Sequence, residues 1–126
     1  MMKFTFSILI ILLTFSSCYQ AERNCKNFKT GTFEFTYTID GNKITNRFTR
    51  NDSLEIAHIN NTIDTSTVRW INDCEFIVKK LNPTSVSERK SFHMKILSTT
   101  KDSYTFEYNA VGDIENKQRG TAKKID

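Results

Sequence analysis

Cysteine is the residue type with the most chemistry to offer in this 126-residue chain, and its three copies stand in three different contexts. Cys18 directly follows Phe15-Ser16-Ser17 at the end of an apolar stretch, Cys25 lies in a short polar segment, and Cys74 sits in the apolar run Trp70 to Val78. A thiol can carry a lipid, pair with a second thiol or act as a nucleophile, and nucleophilic use needs an activating base close by. The two histidines, His58 and His93, fall on separate expected strands. Surface or rim positions are expected for both, rather than a histidine–carboxylate or metal site. The four glycines are isolated, so no phosphate-cradling loop is present. The expectation is therefore a non-enzymatic protein with no catalytic residues, no metal and no cofactor.

The segment before Cys18 explains why that cysteine differs. Lys3, the apolar run Ile8 to Leu13 and the small residues after it read as a secretory signal, residues 1–17. A membrane span would need roughly 20 apolar residues. The context of Cys18 resembles the lipobox of bacterial lipoproteins, with Phe15 where a leucine is usual. This resemblance implies acylation of Cys18, a lipidated tether over residues 18–27 and a single β domain over residues 28–126. Several acyl chains make such an attachment stable, whereas one alone binds marginally. Tyr19, rather than an aspartate, after the cysteine resembles the pattern of lipoproteins passed on to the outer membrane. The expected partner is thus a membrane, reached through the N-terminal lipid, with the domain on the periplasmic or cell-surface face. Gln20-Ala21-Glu22 partly resembles a surface-export tag, which Arg23 interrupts. Export would place Cys25 and Cys74 where a disulfide persists, closing a loop of about 50 residues worth about 4 kcal/mol in the chain-entropy account. The alternative is a small buried Cys74 and a free Cys25 in the tether.

The elements that must position these residues are strands. Phe33, Phe35, Tyr37 and Ile39 alternate with Glu34, Thr36 and Thr38, the period of a half-buried strand. Asp40-Gly41 and Asn60-Asn61 are turn pairs, Asn51-Asp52 and Lys101-Asp102 mark further reversals, and Leu54, Ile56 and His58 share one face of the strand between. Strands are expected at Ile63 to Ile71 and Cys74 to Lys80, before Asn82-Pro83 stops the sheet. Ser85 and Glu88 have capping-box spacing for a helical turn over Val86 to Lys90. Phe92, Met94 and Ile96 resume alternation, Tyr104, Phe106 and Tyr108 repeat it, and Arg119 to Ile125 closes the chain. The predicted fold is all-β, an antiparallel up-and-down meander of about eight strands closed as a small lipocalin-like barrel that leaves no free edge. A two-sheet sandwich is the alternative.

Ten phenylalanines, four tyrosines and one tryptophan are available to fill such an interior. Core filling is the first expectation for them, and a pocket for a small apolar or amphipathic ligand the second. In the second case Tyr37, Trp70 and Tyr108 are the candidate ligand-binding residues, because a polar tip on an apolar body suits a pocket mouth. An envelope protein is the alternative partner. The 18 basic and 14 acidic residues are interspersed and the net charge is +4, so no nucleic-acid partner is expected. Asp52-Ser53-Leu54 resembles a short O-glycosylation pattern, which makes Ser53 a modification candidate on an exposed turn.

Thr67 to Phe76, with Cys18-Tyr19-Gln20, Cys25 and the ending Lys117-Gln118-Arg119-Gly120-Thr121, resembles a group of small Bacteroidetes-type lipoproteins over nearly the whole chain after the signal. The group has no established activity, so the resemblance implies class rather than function. Some of its members carry the automatic name of a type II DNA topoisomerase subunit. This sequence contradicts that name: it is far too short for nucleotide-hydrolysing and strand-cleaving domains and has neither a phosphate loop nor a concentrated basic surface.

Overall fold

The computed structural model describes residues 23–126, so the expected signal segment and Cys18 lie outside the described residues. The eight strands are β1 (Gly31–Ile39), β2 (Asn42–Arg50), β3 (Leu54–Ile59), β4 (Thr62–Asn72), β5 (Glu75–Lys80), β6 (Phe92–Thr99), β7 (Ser103–Ala110) and β8 (Gln118–Lys124). Every neighbouring pair is antiparallel, and the order β1 to β8 closes on itself as a barrel. Closure rests on a short ladder, Phe33 opposite Lys124, Glu34 opposite Lys123 and Phe35 opposite Ala122. The C-terminal backbone extends it, because Thr32 N–H donates to Asp126 O at 2.9 Å and Ile125 N–H to Thr32 O at 2.9 Å. The barrel, and not the sandwich, is the architecture.

Turn chemistry acts as its residue types require. Asp40 and Gly41 adopt φ of 50° and 78°, and Asn60 and Asn61 adopt 47° and 64°, the paired left-handed conformations of a tight hairpin that matches strand twist. At Asn51 the side-chain oxygen accepts from Ser53 N–H at 3.0 Å and Leu54 N–H at 2.8 Å, locking the β2–β3 reversal. The helical turn expected near Val86 is one 3-10 turn, Ser87–Arg89, with Glu88 N–H donating to Ser85 Oγ at 3.3 Å.

Up-and-down topology sorts the connections to two ends. The β2–β3, β4–β5 and β6–β7 turns share one end with the two chain termini, and the other four connections share the opposite end. The first end is closed by a 3-10 turn at Cys25–Phe28, and both of those end residues are buried against Phe33, Ile96 and Tyr104. This corrects the tether expected through residue 27: its last residues belong to the barrel, because Cys25 is bonded to Cys74 with a Cα–Cα distance of 5.2 Å. Asn24 N–H adds a bond to Thr99 Oγ1 at 2.9 Å.

Register decides which face of each strand is interior. Phe48 lies opposite Ala57 and Arg50 opposite Glu55, so β3 turns Glu55, Ala57 and Ile59 inward. Leu54, Ile56 and His58 do share a face, and it is the outer one. On β8 the inward residue Gly120 lies opposite Phe106. A Cβ there would stand 2.6 Å from Phe35 Cε2 and 2.8 Å from Phe106 Cζ, so only glycine lets both rings occupy the lumen. Gly120→Ala is expected to cost about 1–3 kcal/mol through displaced rings, read as a lower urea midpoint. An unchanged midpoint would mean that the rings move freely.

Candidate functional site

The floor of the barrel is built around one cation. Arg50, the last residue of β2, is 2% exposed, and its guanidinium carbon lies 4.8 Å from the ring centres of both Phe33 and Phe76. Nε donates to Lys29 O at 3.2 Å and Nη2 to Phe28 O at 2.6 Å, which ties the N-terminal turn to the sheet. Nη1 donates to Glu55 Oε2 at 3.1 Å, and both Nη atoms reach the Tyr104 hydroxyl at 3.3 Å. These bonds use all of the N–H groups that a guanidinium carries. Burial opposes the charge, but Tyr104 and Glu55 outweigh it, and the arginine is held above its ordinary range. Burial in turn pushes the Tyr104 hydroxyl up, against the pull of Arg50.

Above this floor the lumen is open. A cavity of about 230 Å³ is lined by Phe35, Phe48, Ala57, Ile59, Met94, Tyr104, Phe106 and Tyr108, together with Asn46 and Glu55. Of the candidates read from sequence, Tyr108 lines the cavity, and its hydroxyl donates to Gln118 Oε1 at 2.8 Å. Tyr37 borders it indirectly: its ring stacks on Phe35 at 5.7 Å and its oxygen accepts from Asn46 Nδ2 at 3.3 Å. Trp70 is not at the mouth. It packs on Phe76 at 4.4 Å, with Lys29 Nζ 4.9 Å from its ring centre, at the closed end where β4 meets the N-terminal turn. Its Nε1 is buried without a hydrogen-bond partner among the described residues. Parity along one strand does not say which end of a barrel a residue occupies, and Trp70 lies at the end opposite the expected mouth.

Sequence reasoning missed Glu55, Asn46 and Ala57, since polar and small residues on alternating strands read as the solvent side. The signal that could have found them is the pairing of β3 with β2, in which the aromatic Phe48 dictates which β3 residues face inward.

The open end carries apolar tips on all four of its connections. Ile39, Ile63, Val86, Val111 and Ile114 are each at least half exposed. Between two of these connections Lys80 is clamped by Glu88 at 2.8 Å and Asp64 at 3.6 Å. The Lys80 bond, and two further bonds from Thr84, hold the Glu88 carboxyl down at about 2. Its folded pKa lies below the ordinary value of about 4.3, so the contact stabilises above that pH and is lost as pH falls toward about 2. Carboxyl-carbon NMR should show Glu88 titrating well below the exposed glutamates, and Lys80→Met should raise it part of the way toward their range, the two Thr84 bonds holding the remainder.

Ser53 is exposed, on the turn at the closed end. His58 faces outward on β3. His93 Nε2 lies 3.2 Å from Glu75 Oε1 in an outer cleft of about 260 Å³ that also holds Lys95, Glu107 and Lys117. Asn72 Nδ2 donates to Glu75 at 2.6 Å and, against partial burial, holds that carboxyl low with the help of His93 and Lys95. Glu107 pairs with Lys117 at 3.5 Å and Arg119 at 3.3 Å, so its carboxylate is tied to two cations. No three metal-ligating side chains converge among the described residues.

A closed eight-stranded barrel with one plugged end and an aromatic-lined lumen defines the class, a small β-barrel of calyx shape. No protein-family model matches the chain, and neither a curated protein nor a solved structure is detectably similar to it.

Proposed function

We propose that this protein is a lipid-anchored lipoprotein of the cell envelope, held at the outer membrane through Cys18, that serves as a non-enzymatic binding module for a small apolar or amphipathic ligand. The observation that carries this reading is the lumen cavity of about 230 Å³, bounded by aromatic side chains above the floor built around Arg50. Core filling alone would leave no such space, since protein interiors pack to the density of organic crystals. The Cys25–Cys74 bridge supports an oxidising compartment and so agrees with export. The turn bearing Ser53 lies at the end of the barrel that holds the Cys25–Phe28 turn, where a glycan would stay clear of the mouth.

Native mass spectrometry of the protein purified gently from its own bacterium tests the reading. A retained extra mass that is lost on denaturation is expected. A bare mass, repeated after exposure to envelope lipid extract, would overturn ligand carriage. Metabolic labelling with an alkyne fatty acid, abolished by Cys18→Ala, tests the anchor. A second reading, an accessory module contacting an envelope protein, is favoured by the apolar tips at the open end. Charged replacements at Val86 and Ile114 would then abolish co-purification of that protein without changing stability.

A further inference from the structure

We infer that the ligand of the barrel cavity is compact and has a hydrogen-bond-donating end, an amine or hydroxyl, that meets Glu55, and that carboxylate-headed molecules such as fatty acids are rejected. This inference rests on the proposed binding function and narrows it. Glu55 reaches the lumen from β3 with one oxygen committed, since Oε2 accepts from Arg50 Nη1 at 3.1 Å. Its other oxygen, Oε1, has no partner among the described residues, and the side chain is 23% exposed, beside a cavity whose remaining walls are mostly apolar. A carboxylate oxygen in such a place favours whatever brings it a proton donor.

The cation beneath the cavity has no N–H left for an anion. The N–H groups of Arg50 are taken by Phe28 O, Lys29 O, Tyr104 and Glu55. An entering carboxylate would therefore meet Glu55 with no free guanidinium N–H. The Tyr108 hydroxyl proton is directed to Gln118. Asn46, further along the wall, can donate or accept and so discriminates against neither class. The rings of Phe35, Phe48 and Phe106 suit an aromatic or branched body. At about 230 Å³ the space is smaller than the roughly 300–1,000 Å³ of sites for drug-sized ligands, which sets the size at one ring or a short branched chain.

Four probes sharing one ring separate the chemistries in calorimetric titrations of the purified full chain: phenethylamine, 2-phenylethanol, benzyl methyl ether and phenylacetate. The donor-bearing amine or alcohol is expected to bind about tenfold more tightly than the ether, with phenylacetate weakest. An amine tighter than the alcohol assigns an ammonium ligand, and the reverse order a neutral hydroxyl. Glu55→Gln, which turns an amide N–H toward the lumen, should abolish or invert the preference for donors. If that variant fails to fold, the ranking on the unaltered protein decides alone. Equal binding of alcohol and ether, or tightest binding of phenylacetate, overturns the inference and leaves the binding function standing. No binding by any probe overturns the inference as well, and the native mass then decides the function separately.

Discussion

Replacing Arg50 with methionine is expected to lower the unfolding free energy by about 3–5 kcal/mol, a large share of the stability of a domain this size. The loss is not that of a surface charge. Methionine would fill much of the space between Phe33 and Phe76, but it would leave Phe28 O without its 2.6 Å donor and Glu55 without its 3.1 Å counter-ion. Each stranded acceptor then carries the desolvation penalty of an unmade bond. Urea unfolding with an unchanged m-value is the measurement, and a loss under about 1 kcal/mol would show that the floor does not depend on this cation. Arg50→Lys, whose ammonium has fewer donors in a different geometry, should fall between the two. Tyr104→Phe removes one shared acceptor and should cost about 1–2 kcal/mol. The Arg50 effect should also reach the lumen, since Glu55 would lose the bond that orients it.

Reducing the Cys25–Cys74 bridge, or replacing both cysteines with alanine, is expected to cost about 4 kcal/mol. The bridge spans 49 positions, and the chain-entropy account ties its worth to that loop length through the freedom it removes from the unfolded chain. A second consequence lies in the folded state. The bridge holds the Cys25–Phe28 turn against the barrel, and that turn presents the two backbone carbonyls that Arg50 binds, Phe28 O and Lys29 O. The two perturbations share partners, so reduction combined with Arg50→Met should cost less than the sum of the single effects. Denaturation with and without reductant measures the first quantity, and the double cycle measures the coupling. Full additivity would separate the plug from the arginine and remove this account of the closed end.

Much of the local structure was legible in the residues themselves. Asp40-Gly41 and Asn60-Asn61 announce hairpins because left-handed φ is tolerated by few residue types, and alternation at Phe33 to Ile39 or Tyr104 to Tyr108 reports a strand with one buried side. The pairing of Cys25 with Cys74 was one of two readings left open by the sequence, and the structure forms the bridge. The site was legible only in part. Tyr108 lines the cavity, Tyr37 borders it through Phe35 and Asn46, and Trp70 belongs to the opposite end. Leu54, Ile56 and His58 form a face by period alone, yet period is blind to which face is inside. A register change of one residue exchanges the two.

Sequence alone therefore determined the strands, their turns and the aromatic character of the interior, because those depend on backbone preferences and on residues a few positions apart. Tertiary structure decided closure, through a three-residue pairing of β1 with β8 across almost the whole described chain. It decided the plug, because the sequence does not show that the residues around Cys25 form a turn buried against the barrel. It also decided the role of Arg50 and Glu55. A charged residue at a strand end is ordinarily solvated, and nothing local distinguishes one whose N–H groups are satisfied by a turn more than twenty positions earlier, a facing carboxylate and a tyrosine from β7. Long-range pairing is what makes burial of that charge affordable, and no window of the sequence contains it.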